Sequence, residues 1–141
     1  MYERVVVPTV LYGAETWSLK EEERKKLNVF EMRCLRGMIG VTRLDRVRNV
    51  AVRERTGVER VLAGRVDMSV LRWFGHMERM NEDRMVKKVL ISEVNGNRAR
   101  GRPRFRWMCC VNRALNERGM NVDEARECAN DRNEWRMIVN A

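Results

Sequence analysis

The chain has 141 residues, 35% of them charged and 44% hydrophobic, and carries 29 Lys and Arg against 20 Asp and Glu for a formal net charge of +9. That balance is too apolar for a disordered polyelectrolyte and too charged for a membrane protein, so one globular domain is expected, and its sign favours a polyanionic partner. No window approaches the roughly 18 apolar residues of a membrane span, and the opening MYERVVVPTVLYGAETW has neither a basic leader nor a small-residue cleavage site. An intracellular protein is therefore expected, with nucleus and cytoplasm not distinguished.

After the apolar opening, Ser18 and Glu21 form an S-x-x-E capping box ahead of a long helix over Leu19 to Met38. Its inward face is predicted to hold Leu27, Phe30, Cys34, Leu35 and Met38, and Gly40 ends it. A second helix is predicted from Asp45 to Arg55, stopped by Thr56-Gly57, with Val47, Val50 and Val52 facing inward. The central helix is the clearest, because Val58, Val61, Leu62, Val66, Val70, Trp73, Phe74, Met77 and Met80 step at threes and fours.

Residues 81 to 102 read as a polar connection in which Met85, Val86, Val89 and Leu90 suit a brief helix. A helix is then predicted from Pro103 to Arg118 with Gly119 as its stop, and Val122 to Val139 reads as one helix or two joined near Asn130-Asp131. The expected fold class is all-α: an irregular bundle of five to seven helices around Trp73, Phe74, Phe30 and Trp107, with an Arg-rich loop between the central and C-terminal helices.

The functional signal is the kind and placement of basic residues. Of the 29, 24 are Arg, whose planar fork matches phosphate oxygens, and between Val94 and Asn116 six Arg occur with no carboxylate. Arg98, Arg100, Arg102, Arg104 and Arg106 sit on alternate positions, so an extended backbone would turn them all one way. Three readings stay open: a phosphate-binding strip, a solvated loop leading into a helix, and a Gly-Arg-Pro core of the kind that enters an A·T minor groove. Lys87 and Lys88 would help such a strip. On the central helix Arg65, Arg72, His76 and Arg79 form a basic sector opposite the apolar face, which is either a solvated face or a second nucleic-acid contact.

No catalytic or metal constellation stands out, and no cofactor is expected. Cys34, Cys109, Cys110 and Cys128 contain no C-x-x-C pair and read as reduced, mostly buried thiols. The single His76 lies far from them in sequence. There is no G-x-S-x-G and no Gly-rich phosphate cradle. The carboxylates stand beside bases, in EEERKK, NEDR and DRNEWR, as surface ion pairs do.

VVPTVLYGAETWSL, EMRCLRGMIGVTRLDRVRN, LRWFGHMERMNEDR, GRPRFRW and NDRNEWR together resemble, in this order, the region downstream of the polymerase core of non-LTR, LINE-type retrotransposon reverse transcriptases. The resemblance spans nearly the whole chain. Arg72 to His76 match the family's RWFGH, while Gly101, Arg102, Pro103, Arg104, Arg106 and Trp107 match its GRPRxRW. It implies a thumb-like helical region over residues 1–80, a basic connection over 81–102 and a helical extension over 103–141. It further implies a fragment that would help to hold RNA, DNA or their hybrid beside a reverse-transcriptase palm. The family's aspartate-rich catalytic motif has no counterpart here, so polymerase activity is not expected of this chain alone. The alternative is a protein-interaction or degenerate structural remnant without activity of its own.

Overall fold

A computed structural model describes residues 2–92, 101 and 105–141. Among the described residues there are eight α-helices and no strand. The all-helical expectation holds, while the count exceeds the five to seven expected because short pieces at both ends form separate helices.

A π-helical turn, Tyr2–Val6, runs into α1 (Val7–Leu11), which carries Pro8 in its first turn. Gly13, at φ +69, reverses the chain into a 3-10 turn, Ala14–Thr16, that presses Ala14 against the central helix. α2 (Glu21–Met38) begins two residues later than the Ser18 box predicts. Glu23 Oε2 instead accepts the Lys20 backbone N–H at 2.6 Å, and Glu21, Glu22 and Glu23 sit where the helix dipole favours them. α3 (Asn49–Thr56) stops at Gly57, as expected.

α4 (Leu62–Glu78) is the centre of the molecule and touches α1, α2, α5 (Met85–Ile91), α6 (Trp107–Asn116), α7 (Val122–Asn130) and α8 (Arg132–Asn140). Its hydrophobic positions recur at helical spacing, so Val66, Val70, Leu71, Phe74 and Met77 are all buried. The C-terminal pair is two helices: Asn121 and Glu124 cap α7 reciprocally, and the Asp131 carboxylate takes the Asn133 and Glu134 N–H groups at 2.7 and 3.2 Å to start α8.

Two apolar clusters result. The larger packs α4 against α6, α7, α8 and Ala14, and the smaller joins Tyr2 and Val7 to Met32, Leu35, Val52, Val58 and Leu62. The aromatic centre differs from expectation. Phe74 is fully buried against Trp135, with ring centroids 5.8 Å apart, and each such side chain stabilises the fold by about 1.5–3 kcal/mol on burial. Phe30 is 40% exposed, while Trp73 and Trp107 are only partly buried.

The reason for Phe30 is a charge. Glu31 is fully buried and accepts hydrogen bonds from Arg53 Nη2 (2.6 Å), the Leu62 N–H (2.9 Å) and the Tyr2 hydroxyl (3.2 Å). Turning residue 31 inward sets the inward face of α2 at Glu31, Met32 and Leu35, which leaves Phe30 and Met38 outside. A second buried carboxylate, Asp67, is held on α4 between Arg24 of α2 and Arg113 of α6. α3 begins four residues later than the predicted Asp45, so Val47 precedes it, half-buried; within the helix only Val52 is buried and Val50 is exposed. In α5 the pattern inverts, since Lys87 is the buried residue and Met85, Val86 and Val89 face outward.

Candidate functional site

Four members of the predicted arginine comb, Arg98, Arg100, Arg102 and Arg104, lie outside the described residues. The fifth, Arg106, is exposed in an extended conformation at φ −107 and ψ 159, just before α6. Trp107 begins that helix and fixes its approach, its Nε1 donating to the Glu15 carbonyl at 2.7 Å.

Lys87 does not reach outward. Its ammonium donates to the Glu78 carbonyl at 2.9 Å and to the Glu78 carboxylate at 2.5 Å, because the short α5 can cap the end of α4 only by turning that side chain in. Arg126 completes the neutralisation of Glu78 at 3.4 Å. Lys88, one position on, is exposed.

The basic sector of α4 is divided rather than continuous. Arg79 donates to the Ala129 carbonyl at 2.5 Å, which docks α7, and burial together with the charge of Arg132 lowers its pKa from the ordinary arginine value. Arg65 pairs with Glu3 at 2.6 Å. Arg72 and His76 are exposed one turn apart, and the His76 ring lies 5.4 Å from that of Trp73 at 41°.

Arg72 is joined by two neighbours at a hollow of about 220 Å³. Arg60, Arg65 and Arg72 line it beside Leu11, Met68 and Asn140, and no carboxylate is among the described lining residues. Arg60 is oriented by the Asn140 carbonyl at 2.5 Å and Arg72 by the Asn140 side chain at 3.3 Å. Guanidinium groups fixed in this way keep free edges for an anion, and the space exceeds the roughly 30 Å³ share of one water several-fold, enough for a phosphate group. Arg60 was not legible as a partner of Arg72 in the sequence: it precedes α4, and only the return of α8 brings Asn140 between them.

A second basic feature also escapes sequence reading. Between α2, residues 41–48 and α3 lies a cleft of about 1200 Å³ lined by Arg33, Arg36, Arg43, Arg46 and Arg53. These arginines are spread over 21 positions of EMRCLRGMIGVTRLDRVRNVAVR, and the one signal available was that local richness in Arg.

The thiols are unpaired, with Cys110 buried and Cys34, Cys109 and Cys128 half-buried. Burial raises the Cys110 thiol above its ordinary value. Among the described residues no group of His, Cys, Asp or Glu is arranged to hold a metal ion, and no helix is long and apolar enough to cross a membrane. No protein-family model matches the chain, and no curated protein or solved structure is found similar to it.

Proposed function

We propose that this chain is a nucleic-acid-binding fragment of a retrotransposon-type RNA-directed DNA polymerase, without the catalytic palm, that grips the sugar-phosphate backbone of RNA, DNA or their hybrid independently of sequence. The observation that carries the binding is the convergence of Arg60 and Arg72, neither ion-paired among the described residues, on one hollow that Arg65, held by Glu3, also lines. One turn along α4, the Trp73–His76 pair offers a ring surface to a base, an interaction worth about 1–3 kcal/mol per stacked base. Lys88, Arg106 and the arginines at 98, 100, 102 and 104 add charge that a backbone would follow. The assignment to a polymerase rests on the RWFGH and GRPRxRW resemblances alone.

Filter binding of the full chain to single-stranded RNA and to duplex DNA over a salt series tests the reading. Affinity should fall with salt at a log-log slope of about 0.7 per phosphate contacted on single strands and about 0.9 on duplex. A flat salt response, or no retention at low salt, would refute it.

A second reading, a protein-interaction remnant, is favoured by α5, where Met85 and Val89 are 73% and 66% exposed. It requires the nucleic-acid-free chain to self-associate or aggregate in size-exclusion chromatography. A clean monomer counts against it.

A further inference from the structure

The cleft between α2 and α3 differs in kind from the arginine hollow at Arg72. Its volume of about 1200 Å³ exceeds the roughly 300–1,000 Å³ of small-molecule pockets, so it suits a length of chain. Its floor is aliphatic, formed by Val29, Met32, Val41, Val47 and Val61, and Val29 is 68% exposed there. Its rim is five arginines, with no carboxylate among the described lining residues.

Two of those arginines are held in place from behind. Arg53 is anchored on buried Glu31 at 2.6 Å, and Arg36 on the Val47 carbonyl and Asn49 Oδ1 at 3.2 and 2.6 Å. Each still has a buried nitrogen without a partner, Arg53 Nη1 and Arg36 Nε, and Asn28 Oδ1 on the same wall is likewise unpartnered. The carboxylate within the rim segment, Asp45, accepts the Thr42 N–H and hydroxyl at 2.6 and 2.7 Å and braces the loop, and these bonds favour its charged form. Arg33, Arg43 and Arg46 remain exposed.

We infer that this cleft is a docking groove for an acidic amphipathic helix of a partner protein, whose apolar stripe lies on the aliphatic floor and whose carboxylates meet the arginine rim. Both halves of the match are needed. A helix with Leu or Ile at positions three and four apart fits an aliphatic trough, and its Asp and Glu would face the exposed guanidinium groups of Arg33, Arg43 and Arg46. A nucleic-acid strand would satisfy the rim only. It has no aliphatic face for the floor, and none of the described lining residues is aromatic to receive a base. The partner surface is separate from Arg60, Arg65 and Arg72, so the two kinds of ligand have different determinants.

The test uses fluorescence anisotropy with the full chain and a labelled designed peptide bearing Leu on one helical face and Glu on the other. The peptide should bind at low salt, and a scrambled peptide of the same composition should bind at least about tenfold more weakly. Arg33→Glu with Arg43→Glu should weaken the designed peptide by at least about tenfold, since both side chains are exposed and lie outside the core. Arg72→Glu should leave it unchanged. If circular dichroism shows the double charge reversal to be unfolded, Arg33→Gln with Arg43→Gln serves in its place. The inference is overturned if the designed peptide does not bind, or if the scrambled peptide binds equally well. It is also overturned if the double variant keeps peptide affinity while losing affinity for oligouridylate, which would make the cleft a nucleic-acid site.

Discussion

The indole of Trp135 lies directly on the backbone of Gly75: a Cβ at residue 75 would overlap the Trp135 ring, and Trp135 Nε1 donates to the Leu71 carbonyl at 3.0 Å, one turn away. Gly75 is therefore required by close approach, and α8 is locked to α4 at this point. Gly75→Ala should destabilise the fold by about 1–3 kcal/mol through overpacking, and Trp135→Ala by about 3–5 kcal/mol through the cavity it leaves. Urea unfolding followed by circular dichroism measures both. Tolerance of Gly75→Ala would show that α8 does not pack where described.

Tyr2 and Glu31 set the alkaline limit of stability. Burial, then the charge of Glu31 and the hydrogen bond to it, raise the Tyr2 phenol well above its ordinary value of 10.0. Above that value the unfolded chain releases a proton that the folded chain keeps. Stability from this group is thus complete below about pH 10 and declines as pH rises beyond it, by up to about 1.4 kcal/mol per pH unit. Thermal melts between pH 8 and about pH 11 should show the decline, and Tyr2→Phe should reduce its slope.

Asp67 is the pivot between α2, α4 and α6. Burial alone would lower the pKa of Arg24, but its hydrogen bond and charge interaction with Asp67, aided by Glu117 and Glu21, outweigh that and raise it. Asp67→Asn leaves Arg24 and Arg113 facing a neutral group in a largely buried site and should cost about 3–5 kcal/mol. Denaturant midpoints check this. A loss within about 0.5 kcal/mol, as at an ordinary surface position, would contradict the buried bridge.

Lys87 and Lys88 should separate stability from binding. Lys87→Met removes the nearer of the two cations that pair with Glu78 and should lower the melting temperature while leaving the salt slope of RNA binding unchanged. Lys88→Glu and Arg72→Glu should leave melting nearly unaltered and lower RNA affinity, each reducing the slope by about one phosphate contact. The opposite assignment of effects would place the interface elsewhere.

Local signals in the sequence were enough for most of the helices and their C-terminal ends, while the starts of α2, α3, α4 and α6 lie two to four residues later than predicted. The stepping of Val66, Val70, Phe74 and Met77 located the central helix, and Gly57, Gly119 and the Asn130-Asp131 joint marked boundaries that the structure keeps. Each depends on residues within a turn or two, so no distant neighbour had to be known. The Ser18 box missed because the helix starts two residues later, where Glu23 accepts the Lys20 N–H instead.

What tertiary structure decided was rotation and pairing. The face of α2 turned on Glu31, whose partners Tyr2, Arg53 and Leu62 come from three other parts of the chain, and Phe30 was left half outside as a result. Trp135 rather than Trp73 became the core aromatic, because the flat backbone at Gly75 admits an indole only when α8 folds back. The same holds for charge: the sequence determined that arginine is abundant and locally unopposed. Which guanidinium groups are tied to buried acids and carbonyls, as Arg24 and Arg79 are, and which are left lining an open hollow or cleft, follows from contacts between residues far apart in the chain.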